Sequence, residues 1–292
     1  MTVMDQASML RAMARRSESG RRRAQTIAIT SGKGGVGKTN LAVNLAAVLA
    51  GMRRRVVLLD ADLGLANADI LCNVQPRFNL AHVVAGQRSL GEVLTPVPAG
   101  FSLIPGASGL AKMADLTEAD RKRIVVELDS VDETADALII DTGAGIGRNV
   151  LSFTSTADHV VIVTTPEPTA ITDAYAVMKV LVRCGTVDGG GGKIGIMVNM
   201  VKNRDEALQV HERIASVARQ FLKTDVAFSG YVVADTAVQQ AVRKRAPFVQ
   251  QYPNSAAAQC VQAWANRMDH RVDVAIGKGK PGFFARLASW WR

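Results

Sequence analysis

The sequence has few residues that could hold a metal ion or form disulfide bonds. It contains three cysteines and four histidines in 292 residues, all widely separated. No pair has the spacing of a metal or redox motif. Scattered cysteines are typical of a reduced, cytosolic chain in which thiols serve as small buried hydrophobic groups. We therefore expect no disulfide and assign no metal to Cys72, Cys184, Cys260, His82, His159, His211 or His270.

Long hydrophobic runs are absent as well. No apolar run approaches the roughly 18 residues that span a membrane, and the first residues lack the apolar core of a signal peptide. Hydrophobic residues still make up 48% of the chain, which is enough for a sizeable core. We therefore expect a cytoplasmic protein that becomes peripheral on the inner face of the cell membrane only if a segment docks it there.

Positive charge is scarce in the body of the chain and concentrated at its ends. Six arginines against two acids give residues 1–23 a charge of +4, and four basic residues give 278–292 another +4. Only +1 of the total of +9 remains for the residues between them. Nucleic-acid binding favours a basic face on the fold itself, whereas basic tails suit anionic membrane surfaces and protein partners. Nucleic acid is therefore not an expected partner.

Short apolar runs alternate with amphipathic segments between these ends. The chain divides into a basic arm at 1–23, a body at 24–276, and a Gly/Lys linker with an aromatic tail at 277–292. The runs are β-branched and bounded by turn residues, which is typical of buried strands. Predicted strands are 26–30, 56–60, 101–105, 137–141, 159–165, 193–199 and 231–233. Predicted helices include 39–51, 118–129, 170–184 and 205–223. This order predicts one α/β domain, a mostly parallel twisted sheet with helices on both faces.

A phosphate-loop motif directly follows the first predicted strand. The stretch "GKGGVGKT" at 32–39 matches G-x-x-x-x-G-K-[ST] and opens a helix, which indicates a P-loop NTPase domain that binds ATP and Mg²⁺. Lys38 is expected to reach the β- and γ-phosphates, and the Thr39 hydroxyl is expected to bind Mg²⁺. The predicted nucleotide-binding residues here are Gly32, Lys33, Gly34, Gly35, Val36, Gly37, Lys38, Thr39 and Asn40.

Carboxylates follow two further strands of the predicted sheet. Asp141 ends one strand and is expected to hold the metal through its hydration shell. Asp60 and Asp62 follow another strand, where two acids can hold metal-bound water and orient the attacking water. We assign the attacking water to Asp62, which lies past the strand end, and also count Asp62 as a metal residue. The alternative for Asp62 is a helix N-cap.

A second lysine, Lys33, lies at the start of the phosphate loop. A lysine there is poorly placed to turn back onto its own γ-phosphate. If a second copy of the protein faced the nucleotide, Lys33 could reach that copy's phosphates, as an arginine finger does. We therefore predict a catalytic role in trans and an ATP-dependent homodimer. A surface lysine without a role is the alternative.

The combined motifs resemble the deviant Walker A ATPases of the MinD/ParA class. Besides the extra lysine, "DADLGLAN" at 60–67 and "DTGAG" at 141–145 match the two switch motifs of that class. The resemblance covers about residues 24–270. It implies an ATPase that transfers phosphoryl groups to water, and it places Asp60, Asp62, Asn67 and Asp141 at the nucleotide.

Within this class the sequence is most similar to the flagellar-number regulators of the FlhG (FleN) type. The similarity lies in four stretches, at 76–86, 103–116, 141–153 and 164–179. It implies a role in flagellar number or placement, with a flagellar transcription regulator or basal-body protein as a possible further partner. It also implies that Asn199 reads the adenine edge, a pairing that suits an amide. Val233, Ala234 and Asp235 would line the base.

The N-terminal arm contains a helix-forming stretch with a small apolar stripe. Such a short helix is marginal alone and is expected to order on a partner. The FlhG-type regulators begin with an Asp-Gln-Ala-x-x-Leu-Arg element, and the resemblance implies that it stimulates an FlhF-type GTPase. The matching residues are Asp5, Gln6, Ala7, Leu10 and Arg11. A disordered basic leader is the alternative.

The C-terminal tail places large apolar residues on one side of a predicted helix. Aromatic residues opposite basic ones suit an anionic membrane surface, and two tails in a dimer would bind more tightly than one. The predicted membrane residues are Phe283, Phe284, Leu287, Trp290 and Trp291. In the alternative, the tail folds back and buries these side chains on the core.

Other functions fit the sequence less well. Division-site placement, as in MinD, does not account for the N-terminal arm. Partitioning, as in ParA, requires DNA binding, which the neutral body argues against. An iron–sulfur carrier needs a cysteine near the switch motifs, and "DTGAGIGRN" at 141–149 has none. A bacterial tyrosine kinase needs a tyrosine-rich tail, yet the only tyrosines are Tyr175, Tyr231 and Tyr252.

Overall fold

The computed structural model describes residues 23–62, 67–106, 118–185, 193–274 and 282–290. Eight strands in these residues form one sheet in the order β3-β4-β2-β5-β1-β6-β7-β8. The strands are β1 Gln25–Ser31, β2 Val56–Ala61, β3 Thr95–Pro96, β4 Ser102–Ile104, β5 Ala137–Ala144, β6 His159–Thr164, β7 Ile194–Val201 and β8 Ala227–Val233. Only the β3–β4 pair is antiparallel among these strands. The predicted mostly parallel α/β fold is confirmed.

Helices connect the strands and cover both faces of the sheet. The longer ones are α1 Lys38–Gly51, α5 Glu118–Thr134, α6 Arg148–Thr156, α7 Pro168–Arg183, α8 Arg204–Leu222, α9 Thr236–Arg243, α11 Ala256–Val274 and α12 Phe283–Trp290. The short ones are α2 Ala68–Leu71, α3 Leu80–Val84, α4 Leu90–Val93 and α10 Phe248–Gln251.

The structure adds two features to the predicted strands. β3 has only two residues and pairs with β4, which makes β3 one edge of the sheet. Pro96 cannot donate a ladder hydrogen bond, so a sheet edge is the position that it tolerates. β8 begins at Ala227, four residues before the predicted strand. Gly230, with φ 149°, interrupts the apolar run, so the sequence pattern indicated only the part of the strand after it.

The central strand β1 is buried along its whole length and separates two hydrophobic cores. Ile27 and Ile29 pack on the side of α1 and α11, where Trp264 is fully buried. Ala28 packs on the opposite side with the residues of α5, α6 and α12. Burying a large apolar side chain stabilises a fold by about 1.5–3 kcal/mol, so this two-sided packing fixes β1 and the loop that follows it.

The C-terminal helix α12 is part of one of these cores. Phe283, Phe284 and Leu287 are each 1% exposed and pack in the cluster that includes Leu128 and Phe153. The helix lies against α5 and α6. The structure therefore has the folded-back tail that the sequence offered as the alternative. Within the described ranges, no helix is both long and apolar enough to cross a membrane.

Candidate nucleotide site

The phosphate loop connects β1 to α1 at the carboxyl edge of the sheet, where ligands bind in open α/β folds. Gly35 and Gly37 have φ of 79° and 90°, conformations that side chains rarely adopt. A Cβ atom on Gly34 or Gly35 would meet nothing within 4 Å, so the backbone there faces open space. A Cβ on Gly32 would lie 2.3 Å from the Asp173 carbonyl oxygen. The loop therefore presents bare backbone on the side where phosphates bind and is closely packed at its start.

Lys38 lies at the first position of α1 and is buried. Burial lowers the pKa of its ammonium group, and the nearby Asp141 and Asp62 carboxylates oppose that shift. The lysine thus faces two acids at the floor of the loop. A phosphate group bound by the loop would supply the negative charge that a buried ammonium requires.

Asp141 and Thr39 form the part of the site that suits Mg²⁺. Burial raises the pKa of Asp141 to about 7, although a hydrogen bond from the Thr39 side chain favours the ionised carboxylate. Asp141 Oδ1 is buried and has no hydrogen-bond partner in the described residues. A buried carboxylate oxygen without a partner costs free energy unless a ligand or water satisfies it. This orphaned oxygen fits the predicted contact with metal-bound water.

The protein side chains do not complete a metal site by themselves. Among the described residues, no three His, Cys, Asp or Glu side chains form a group that could hold a metal ion. Mg²⁺ at Thr39 would therefore need oxygen ligands from nucleotide phosphates and water, which is how Mg²⁺ is usually bound beside phosphates.

Asp60 closes the loop that follows β2. Its Oδ2 accepts the backbone N–H groups of Asn67 and Ala68 at 3.0 Å each, and its Oδ1 accepts that of Asp62 at 3.3 Å. Burial raises the pKa of Asp60 to about 6 despite these bonds. The carboxylate thus joins the two ends of the loop, which gives Asp60 a bracing role that motif matching did not indicate.

Asp62 lies beside the loop that follows β5. A Cβ atom on Gly143 would stand 3.4 Å from Asp62 Oδ1, an ordinary van der Waals distance, so the carboxylate lies directly beside this loop. The N-cap of the following helix α2 is Asn67, which excludes the alternative of Asp62 as the cap of α2. Asp62 and Asp141 are both close enough to Lys38 to affect its pKa. Two of the three predicted catalytic residues, Lys38 and Asp62, therefore lie near the predicted metal residue Asp141.

Lys33 extends away from its own phosphate loop. Its Nζ donates to Glu167 Oε2 at 2.7 Å and to Thr169 Oγ1 at 3.3 Å, at the start of α7. The side chains of Lys33 and Glu167 remain 42% and 63% exposed. The sequence analysis missed Glu167 and Thr169 as contacts of this lysine, although both lie in the stretch 164–179 that it singled out.

The predicted base-binding residues lie on the other side of the loop. Asn199 Nδ2 donates to the Val36 carbonyl oxygen at 2.8 Å, so the amide is held against the phosphate loop. The Asp235 carboxylate accepts the N–H groups of Ala237 at 2.9 Å and Ala257 at 3.2 Å. It thereby caps α9 and joins it to α11, and the neighbouring Ala234 N–H donates to the Val201 carbonyl oxygen at 2.8 Å.

Several predicted residues fall outside the described ranges. They are Asp5, Gln6, Ala7, Leu10 and Arg11 of the arm and Trp291 of the tail.

The chain is similar to known proteins along most of its length. A protein-family model described as an AAA domain matches residues 24–184. The chain is 38% identical to the antiactivator FleN of Pseudomonas aeruginosa, over 89% of this chain and 91% of that protein. It is 33% identical to the flagellum site-determining protein YlxH of Helicobacter pylori, over 90% of each. The solved structure of MinD with Mg-ADP from Pyrococcus horikoshii has a TM-score of 0.68 and 24% identity, covering 87% of this chain and 99% of that one.

Proposed function

Because this chain is an ATPase of the MinD/ParA family, we propose that it works as an ATP-dependent dimerisation switch that regulates the number or placement of flagella. The names of two relatives support the flagellar part. FleN is called an antiactivator and YlxH a flagellum site-determining protein, and each matches about nine-tenths of this chain. Slow ATP hydrolysis would return the dimer to monomers.

One observation carries the dimer proposal, the opposite placement of the two lysines in the phosphate loop. Lys38 is 8% exposed and faces the site, whereas the Lys33 side chain is 42% exposed and points away. Only a second molecule that faces the loop would bring phosphates to Lys33. The exposed pair with Glu167 costs little to break, so the lysine is free to exchange that partner for the phosphates of a second protomer.

Exposed hydrophobic side chains around the site support the same proposal. Large hydrophobic side chains are rarely left exposed together without a function. Ile70 in α2, Ile146 after β5 and Met200 at the end of β7 are 53%, 51% and 48% exposed. They are three of the five exposed large hydrophobics among the described residues, and all follow the carboxyl ends of strands. A second protomer that covers this edge would bury them along with the nucleotide.

The chemistry proposed for the site is the transfer of the γ-phosphoryl group to water. Lys38 neutralises charge on the β- and γ-phosphates, and the Thr39 hydroxyl binds Mg²⁺. Asp141 would accept a hydrogen bond from water bound to Mg²⁺, and Asp62 would orient the attacking water. Mg²⁺, when bound, stabilises the charge that develops on the transferred group.

The test of the dimer proposal is the Lys33→Ala variant with Arg213→Ala as a control, because Arg213 is also an exposed basic residue but lies in α8, outside the loop. Turnover per protomer of the unchanged protein should rise with protein concentration. Lys33→Ala should lower turnover at saturating ATP by about a hundredfold or more, as the loss of a finger residue does, while ATP still binds. Full activity in this variant would contradict the role in trans.

The membrane part of the proposal rests on the tail. Dimerisation would release α12, and Phe283, Phe284, Leu287, Trp290 and Trp291 would then bind an anionic membrane surface. Deleting residues 282–292 should abolish ATP-dependent flotation with anionic liposomes and leave nucleotide binding intact. Unchanged flotation would remove the anchor.

The partner proposed for the arm is an FlhF-type GTPase. A peptide of residues 1–20 should accelerate GTP hydrolysis by that enzyme, and changes at Gln6 or Leu10 should remove the effect. Without acceleration or binding, division-site placement becomes the better function. MinD of Thermotoga maritima is 39% identical over 60% of this chain and keeps that alternative open.

A further inference from the structure

The two terminal segments of the chain meet on α5. The arm enters β1 through Arg23 and Ala24, and the Ala24 N–H donates to the Asp132 carbonyl oxygen at 2.8 Å. The tail helix begins beside them, where the Phe283 N–H donates to Asp132 Oδ2 at 2.6 Å. One residue of α5 therefore holds the arm by its backbone and the tail by its side chain.

Gly282 marks how closely these segments pack. A Cβ atom at Gly282 would lie 2.6 Å from Asp129 Oδ1, 2.6 Å from Asp132 Oδ2 and 2.8 Å from Arg23 Nη1. Two carboxylates of α5 and the last arginine of the arm thus converge on the first described residue of the tail. The tail covers this group of charges when it is docked.

The Asp132 carboxylate is buried in this arrangement, which disfavours its ionised form. The residue is 2% exposed, and its Oδ1 has no hydrogen-bond partner in the described residues. Burial raises the pKa of Asp132 to about 7 and Asp129 adds to the shift, while Arg286 and Arg23 oppose it. The ionised carboxylate is therefore stabilised by one arginine from the tail and one from the arm.

Arg286 fastens the other side of the tail to the beginning of β1. Its Nε donates to the Thr156 carbonyl oxygen at 3.0 Å, and its guanidinium pairs with Asp158 at 3.2 Å. Asp158 in turn accepts the Thr26 hydroxyl at 2.6 Å. The tail is thus anchored to the strand into which the arm leads.

We propose that the N-terminal arm controls the docking of the C-terminal tail through Arg23 and Asp132, so that a partner that engages the arm loosens the tail. The idea rests on the proposed function, in which the arm binds a protein and the tail binds a membrane.

The direction of the effect follows from burial. The docked tail covers the Asp132 carboxylate, while Arg23 stays exposed beside it, and attraction to a carboxylate is stronger where water is excluded around it. Arg23 therefore stabilises the docked tail more than the released one. Withdrawing Arg23 towards a partner leaves Asp132 with one positive neighbour fewer and favours release. Because such coupling is reciprocal, release of the tail also makes the arm easier to bind.

The experiment measures hydrogen exchange of amides 283–290 in the full chain without nucleotide, lipid or partner. Arg23→Ala should speed this exchange about fivefold, within the usual range of coupling between contacting residues. Arg23→Lys should restore most of the protection, because it keeps the charge. Arg213→Ala on α8 removes an equally exposed arginine away from the tail and should change nothing. Amides of β5 report on global unfolding.

A double-mutant cycle tests the route through Asp132. In an Asp132→Asn background this carboxylate charge is absent, and Arg23→Ala should then have a smaller effect on exchange of the tail, limited to its attraction to Asp129. Unchanged exchange in Arg23→Ala alone, or an equal effect in both backgrounds, would overturn the proposal. These readouts involve neither liposomes nor the GTPase, so they remain decisive even if membrane binding or the partner proves wrong.

Discussion

The two ends of β1 are held by different kinds of contact. At the carboxyl end the chain enters the phosphate loop, where Ser31 Oγ donates to the Lys33 carbonyl oxygen two residues on at 2.7 Å. At the amino end Thr26 binds Asp158, 132 residues away, and Asp158 binds Arg286, a further 128 residues along. The amino end is thus held by three segments that are distant in sequence, whereas the carboxyl end combines such local bonds with single distant contacts from Glu167 and Asn199.

This difference predicts that the two ends respond separately to substitution while the protein is free of ligand. Changes in the loop should affect nucleotide chemistry and leave the tail docked. Changes around Asp132 should affect the tail and leave the loop intact. The phosphate loop and the tail would affect each other only after dimerisation, which acts on the whole protomer.

The largest effect is expected from Lys38→Ala. Removing the buried ammonium group leaves the phosphates and Asp141 without their main positive neighbour, so ATP hydrolysis should fall about a hundredfold or more. Phosphate release measures this loss. Exchange of amides 283–290 should stay unchanged in the nucleotide-free variant. Faster exchange of the tail in Lys38→Ala, but not in Arg213→Ala, would show that the two ends of β1 are already coupled in the monomer.

The next largest effect is expected from Gly282→Ala. The added methyl group would overlap two carboxylate oxygens and the Arg23 guanidinium, and Asp132 cannot withdraw without losing the Phe283 N–H. Overpacking of this kind should speed exchange of the tail about thirtyfold. ATP binding should be unaffected.

Gly51→Ala is the matched control for that substitution. A Cβ at Gly51 would meet nothing within 4 Å at the end of α1, so the tail should keep its protection. A docked tail in Gly282→Ala would mean that the three charges can rearrange, and the amino end of β1 would be less rigid than the contacts indicate.

Most of the fold was predictable because its signal is local. Buried parallel strands are short apolar runs, and each predicted run became a strand. β3 was not predicted, because two residues, one of them a proline, are too few to show a periodic pattern. The sequence also did not decide whether α12 docks on the protein. An amphipathic helix has the same apolar stripe whether it binds a membrane or the core of its own protein.

The candidate site likewise combines residues that the sequence predicts with contacts that it does not. The positions of Lys38, Thr39 and Asp141 follow from motifs that fix backbone geometry around phosphates. The contact between Lys33 and Glu167 joins residues 134 positions apart, and the bracing role of Asp60 depends on where the loop after β2 returns. Such contacts depend on the tertiary fold, so no residue spacing in the sequence predicts them.

The effect of pH is expected to be smaller for each pH unit, and it is confined to the amino end. In the docked form the pKa of Asp132 is about 7 against an ordinary 3.8, so this form binds the proton more tightly than the released form. Docking should therefore weaken as the pH rises from about 4 to 7, by at most tenfold per pH unit.

Protection factors of amides 283–290, corrected for intrinsic exchange, measure this dependence. The charges that face Asp132 are Asp129 on α5, Arg23 at the end of the arm and Arg286 on α12. Asp132→Asn should flatten the profile. A tail that instead becomes better protected as the pH rises would assign the dominant titration to another group.

The smallest effect is expected from Asn199→Ala at the carboxyl end. The substitution removes the hydrogen bond to the Val36 carbonyl oxygen, which should weaken ATP binding about threefold to tenfold, since one hydrogen bond contributes about 0.5–1.5 kcal/mol. Competition between ATP and GTP separates two roles of this amide. If Asn199 also reads the adenine edge, the variant should lose discrimination between the two nucleotides. If it only braces the loop, the affinities for both should fall equally, because they present the same phosphates to the same backbone.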